Sequence, residues 1–92
     1  MKITIRYHAQ ARQAVGIASE VFAAVGPVTI QALIIGLAER HGDRLRAMVL
    51  TDAALPHPSL LLFVGEEQVR SDSTRPLCDG AEVMLFSPIA GG

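Results

Sequence analysis

The chain has 92 residues, half of them hydrophobic, with a formal net charge of −1 and a single cysteine, Cys78. That length and composition fit one small domain with a core of its own. The near-neutral charge argues against nucleic acid or an anionic membrane surface as partner. The lone cysteine excludes an internal disulfide, and no cysteine or histidine spacing suggests a metal site. The start, Met1–Arg6, alternates polar and apolar residues instead of building the apolar core of a signal peptide. Runs such as Leu60–Val64 are far too short to span a bilayer. The expectation is a cytoplasmic protein with no membrane partner.

From Lys2 to His8, Ile3, Ile5 and Tyr7 fall on one face and Thr4, Arg6 and His8 on the other. This period of two predicts a half-buried strand. Ala9–Val15 suits a short helix, with Gly16 as the left-handed residue that ends it. Glu20–Val25 reads as a second strand with Val21 and Val25 inward, stopped by Gly26-Pro27. Thr29 is a side-chain cap for a helix from Ile30 to about His41, whose apolar stripe is Ile30, Leu33, Ile34, Leu37 and Ala38. Gly36 inside that helix costs about 1 kcal/mol relative to alanine, so tertiary packing must hold it. Gly42 ends it, and Asp43–Leu50 predicts a further short helix with Leu45, Met48 and Val49 inward. Thr51–Ser59, with Pro56 and Pro58, reads as loop. Leu60–Val64 is a strand apolar on both faces, turned by Gly65-Glu66-Glu67 into the short arm Gln68–Arg70. After a loop from Ser71 to Pro76, the Asp79-Gly80 turn introduces a last strand, Glu82–Ser87.

Pro88 lacks an amide hydrogen and biases Ser87 to extended backbone, so the strand ends there. What remains, Ile89-Ala90-Gly91-Gly92, is uncharged and finishes in two residues without side chains. The reading is one domain over residues 1–87 and a flexible tail over 88–92 that reaches at most roughly 17 Å. Two glycines pass through a channel too narrow for any Cβ. The Gly92 carboxylate, ionised at neutral pH, is then the functional group at the tip and can attack the α-phosphate of ATP held by another protein. The plain alternative is an ordinary small chain end.

The element order, with the terminal strands parallel and one long helix crossing the sheet, predicts an α+β, β-grasp (ubiquitin-like) mixed sheet with short extra helices. Val83 and Leu85 then lie under the helix. Met84 and Phe86 lie on the outer face beside Arg6 and His8, with Leu61 or Phe63 close by. An apolar patch edged by arginine suggests a docking surface; cover by a loop or by the short second helix is the alternative.

The chain resembles the MoaD/ThiS group of ubiquitin-like sulfur carriers, and within it MoaD, the small subunit of molybdopterin synthase. The similarity rests on Ala9-Gln-Ala-Arg12-Gln-Ala-Val-Gly16, on the Thr29–His41 helix closed by Gly42, and most of all on the end. There Pro76-Leu77-x-Asp79-Gly80-x-Glu82-Val83 is followed by Ser87-Pro88-Ile89-Ala90-Gly91-Gly92. The resemblance implies that a MoeB-like adenylating enzyme uses MgATP to activate the Gly92 carboxylate, with no cofactor bound by this chain. A sulfur donor protein then converts the acyl-adenylate to a thiocarboxylate. The tail next enters a MoaE-like large subunit, where sulfur passes to the pterin precursor of the dithiolene. Gly91 and Gly92 carry the chemistry. Phe86, Met84, Pro88, Ile89, Ala90, Arg12 and Arg6 are the expected partner contacts. The chain alone is not expected to be catalytic. It departs from the family in having Tyr7-His8 where an aromatic commonly precedes the Ala-x-x-Arg segment, Ser87 for the first proline of a pair, and Gly65 where asparagine is common.

Other readings stay open beside this one: a carrier feeding thiamine or cysteine synthesis, a protein modifier joined to lysines, or a plain interaction module. Arg12 suits a salt bridge to an acidic partner or simple solvation. Cys78 reads as a buried small hydrophobe before a redox group. Asp79 is explained by its turn and Glu82 by solvation. With seven arginines and one lysine, Lys2, self-conjugated chains would have a single side-chain site.

Overall fold

The computed structural model describes residues 1–87. In chain order the elements are β1 (Lys2–His8), α1 (Ala9–Val15), β2 (Ser19–Ala23), β3 (Val28–Thr29), α2 (Ile30–His41), α3 (Asp43–Val49), β4 (Leu61–Val64), β5 (Glu67–Val69), β6 (Pro76–Leu77) and β7 (Glu82–Phe86). Five strands form one mixed sheet in the order β2-β1-β7-β4-β5, and β3 and β6 make a separate two-stranded ladder. The expected β-grasp arrangement is present: β1 and β7 run parallel at the centre, with Ile5 opposite Val83 and His8 opposite Phe86.

Alternation along β1 and β7 sends Ile3, Ile5, Tyr7, Val83 and Leu85 to one face, where each is at most 1 % exposed. Leu62 of β4 joins them, and Ile30, Leu33, Ile34, Leu37 and Ala38 of α2 cover them. Leu45 and Val49 from α3 and Ala11 from α1 close the sides of the same core. Each fully buried aliphatic side chain stabilises by about 1.5–3 kcal/mol, which is how a chain this short holds together. Caps fix the helix ends. Thr29 Oγ1 accepts a hydrogen bond from the Ala32 amide at 3.1 Å, and the Gly42 amide donates to Ala38 O at 3.0 Å. Gly16 ends α1 at φ 80°, a left-handed conformation suited to glycine.

Gly36 has a packing reason that periodicity could not show. A Cβ at this position would lie 2.8 Å from two ring atoms of Phe22, so glycine lets the β2 side chain come close against α2. The Arg40 guanidinium lies over the same ring, 5.1 Å from its centroid.

Several expectations need correction. Val21 and Val25 do not point inward; both are exposed, Val21 at 52 % and Val25 fully. The antiparallel register pairs Ile5 with Glu20 and Ile3 with Phe22. Glu20 and Phe22 therefore take the inner face, Val21 takes the outer one, and the strand stops at Ala23. Cys78 is exposed rather than buried. It follows Leu77, which takes the inward place in β6, so alternation turns Cys78 outward. Met48 is only half-buried. The β3–β6 ladder, unforeseen, pairs Val28 with Leu77 and Thr29 with Pro76, the last residue of the stretch read as loop. Glu82 is more than solvated: its Oε1 accepts from Arg6 Nε at 2.8 Å.

Candidate functional site

The outer face of the sheet is built around β7. Register places Met84 between Arg6 of β1 and Phe63 of β4, and Phe86 between His8 of β1 and Leu61 of β4. These are the neighbours that alternation predicts. Phe86 stacks on the His8 ring, with centroids 4.4 Å apart and planes 10° from parallel. Phe63 meets Phe86 edge-on, with centroids 6.1 Å apart. Such aromatic pairs contribute about 0.5–1.5 kcal/mol each beyond burial. Met84, Phe86 and Phe63 are half-buried, whereas Leu61 is 38 % exposed. The patch is thus a partly sheltered aromatic cluster rather than a fully open apolar surface. The short helix α3 packs Leu45 and Val49 into the core on the inner face of the sheet rather than over this patch.

Arg6 stands at the edge of this cluster, engaged by Glu82 across half-exposed side chains. A pair at that exposure stabilises by about 0–1 kcal/mol, so a partner's carboxylate can compete for the guanidinium. Arg12 lies apart on α1. It is exposed and makes no ion pair among the described residues. Pro88, Ile89, Ala90, Gly91 and Gly92 lie outside the described residues, as does the flexible tail expected there.

The end of β7 has two features that sequence reading missed. His8 Nε2 and Ser87 Oγ are both buried with no hydrogen-bond partner among the described residues. An unmade bond of this kind costs about 1–3 kcal/mol per group, and folded proteins leave few of them. Ala9, one step past the His8–Phe86 pair, sits at φ 54°, a left-handed conformation that costs a residue with a Cβ about 1–2 kcal/mol. Only the Tyr7-His8 and Ser87 departures from the family pattern hinted at anything unusual in this corner.

A second polar cluster lies on the inner side of the β2 edge. The Glu20 carboxylate accepts from Tyr7 Oη and His41 Nε2 on one oxygen, and from Arg40 Nη1 at 2.7 Å on the other. Burial opposes its charge, but the hydrogen bonds from Tyr7, Arg40 and His41 outweigh that effect and hold its pKa below the usual carboxylate value. Burial first, then the Glu20 bond and charge, push the Tyr7 hydroxyl far above its ordinary value, so it stays protonated as a donor. This cluster fastens an edge strand to the end of α2.

A parallel central pair crossed by one long helix, with a sequence that continues past β7 into Gly-Gly, defines a ubiquitin-like β-grasp protein of the carrier or modifier type. The ThiS family model matches residues 5–92, and the chain belongs to the ThiS family, within the MoaD/ThiS group. No curated protein matches the chain by sequence. Among solved structures, SAMP1 from Haloferax volcanii superposes with a TM-score of 0.85 at 18 % identity, covering 100 % of both chains. The Haloferax volcanii protein HVO 2177 gives 0.81 at 23 %, covering 100 % of this chain and 87 % of the other. A Pyrococcus furiosus protein assigned as molybdopterin converting factor subunit 1 gives 0.75 at 24 %, covering 97 % and 99 %. Identities this low speak for the fold alone.

Proposed function

We propose that this chain is a sulfur carrier acting as the small subunit of a molybdopterin synthase. The observation that carries the reading is the position of β7. A central strand leads from a half-buried aromatic cluster straight into a sequence ending in Gly91-Gly92, and the family match extends over that end. A Gly92 carboxylate oxygen attacks the α-phosphorus of ATP on a MoeB-like enzyme and displaces pyrophosphate. Sulfur from a donor protein, formally as hydrosulfide, attacks the acyl carbon; AMP leaves, a proton is released and a thiocarboxylate remains. That soft nucleophile delivers sulfur to the pterin precursor inside a MoaE-like subunit. Gly91 and Gly92 let the channel close around the tail, while Phe86, Met84, Phe63 and Leu61 seat the domain at its mouth. The Thr51–Ser59 loop, which makes the chain longer than is typical of thiamine carriers, favours the pterin pathway over thiamine synthesis.

The same carboxylate activation also serves a protein modifier, and the SAMP1 fold, the small archaeal modifier fold, overlays the whole chain. Intact-mass measurement on protein from its native host tests the carrier reading. One oxygen-to-sulfur exchange at the C-terminus is expected, and a MoaE-like subunit should consume it with precursor. An unchanged carboxylate after incubation with MgATP, adenylating enzyme and sulfur source would overturn it. Lysine-linked conjugates on a denaturing gel would establish the modifier instead.

A further inference from the structure

We infer that the fold keeps a sulfur-loaded Gly92 away from the chain's own acyl acceptors, and that Arg6, Arg12 and Arg70 serve it as cations that cannot be acylated; this rests on the carrier reading above. The chain has seven arginines but one lysine and one cysteine. Amines and thiols capture an activated acyl group unaided, so Lys2, Cys78 and the Met1 amine are the internal competitors. All three lie at one pole of the sheet. The Lys2 amide donates to Asp79 Oδ1 at 2.7 Å, and the Lys2 carbonyl accepts from the Gly80 amide at 2.8 Å. Cys78 precedes that turn and is exposed, and the Met1 amine donates to Ala24 O at 3.0 Å. Because β1 and β7 run parallel, this pole is where both strands begin, and the sequence after Ser87 departs from where they end.

Reach turns that layout into a chemical barrier. Seven residues lead from Gly80 to Ser87, roughly 23 Å of strand at about 3.3 Å each. The five residues after Ser87 span at most roughly 17 Å. Tip and Lys2 amine meet only if the tail doubles back and both it and the lysine side chain stretch along one line, a costly restriction. The cations within easy span are of another kind. Arg6 pairs with Met84, three residues before Ser87. Arg70 follows Val69, the partner of Leu62, and so stands level with Leu61 and Phe86, two strands and roughly 10 Å away. Arg12 belongs to α1, which opens directly after His8 and packs beside β7. Each is a guanidinium, protonated at any working pH. A lysine in the same place, with a reference pKa of about 10.4, releases some free amine at neutral pH, and the chain holds it near the tip at millimolar effective concentration.

The side reaction so avoided needs an oxidant, and a disulfide suffices. The thiocarboxylate sulfur attacks the disulfide, expels a thiolate and becomes an acyl disulfide. An amine nitrogen then attacks the acyl carbon; the carbon–sulfur bond breaks, a persulfide leaves with the electron pair, and the nitrogen loses a proton. The product is an amide that closes the chain on itself and carries no more sulfur.

The test uses chains with Cys78→Ser, so that only the thiocarboxylate meets the reagent. They are loaded by the adenylating enzyme with MgATP and a sulfur source, purified, and treated with an aromatic disulfide while intact mass follows the C-terminus. The parent surface should give the hydrolysed carboxylate. Arg6→Lys, Arg12→Lys and Arg70→Lys each keep the charge. At least one should raise a product one water lighter than the carboxylate chain by about tenfold, a gain in effective concentration, with the new amide mapped to the introduced lysine. Absence of that product in all three variants, or an amide at Lys2 of the parent as abundant as in the variants, overturns the inference and leaves the carrier reading in place. Failure of the parent to take up sulfur at all overturns the carrier reading itself.

Discussion

Glu20 lies on the inward face of an edge strand, where a lone carboxylate would be costly. Three donors from β1 and α2 make that position tenable. Because its folded pKa is below the ordinary value, Glu20 contributes stability that is fully present above its unfolded pKa of about 4.3. That stability is lost as pH falls through the lower folded pKa. We expect Glu20→Gln to lower the unfolding free energy measured in urea at pH 7 by about 1–3 kcal/mol, as the buried donors lose a charged acceptor. The gap to the wild type should close as the pH is taken below 4. A gap that stays constant with pH would mean that the Glu20 charge is not the stabilising feature. The sequence concealed this site. Val21 and Val25 looked like the inward pair because valine is apolar, while the groups that neutralise Glu20 stand at positions 7, 40 and 41. Cys78 was misjudged in the same way, from composition where the phase of the neighbouring strand decides.

At the scale of elements, β2 is an edge strand with an exposed Val21 and a row of backbone groups facing away from β1. Such an edge recruits further strands unless it is blocked. Here the block comes from a helix: Arg40 Nη1 donates to Val21 O at 3.2 Å while the same side chain holds Glu20 and covers Phe22. Arg40→Ala should therefore show more concentration-dependent association in sedimentation velocity than the wild type, beyond any loss of monomer stability. Arg40→Lys, which keeps a charge near the edge, should be intermediate. Identical sedimentation of all three would assign Arg40 a role in stability alone. The main elements were legible because β1, α2 and β7 combine clear periodicity with caps and turns at their ends. Two-residue strands such as β3 and β6 have no period to read, and their pairing across a long loop is a tertiary fact.

For the whole molecule, the core among the described residues draws its buried side chains from β1, β3, β4, β6, β7, the helices and the flanking Leu50 and Leu60. Deleting Gly92 should leave the melting temperature within about a degree of the wild type, since nothing in that core is removed. It should abolish thiocarboxylate formation by intact mass. A fall of many degrees would show that the end of the chain is part of the packed domain. The fold was readable from element order as well as from the family likeness, since only a few arrangements place parallel terminal strands under one crossing helix. The outer-face cluster was readable in its strand neighbours. Its degree of burial was not, because ring stacking between His8, Phe86 and Phe63 depends on rotamers that no spacing rule specifies.

The strand β7 has neighbours on both sides, β1 parallel and β4 antiparallel. Tension applied to the chain beyond Ser87 acts along the axis of β7 and loads both ladders lengthwise. Their hydrogen bonds, which lie across or aslant to that axis, share the force and must give way together. The same pull crosswise on a single-neighbour edge would peel bonds one after another. Resistance to such a pull is governed by the unfolding rate rather than by equilibrium stability. A domain held this way resists a pull on the chain beyond Ser87 without unravelling from that end.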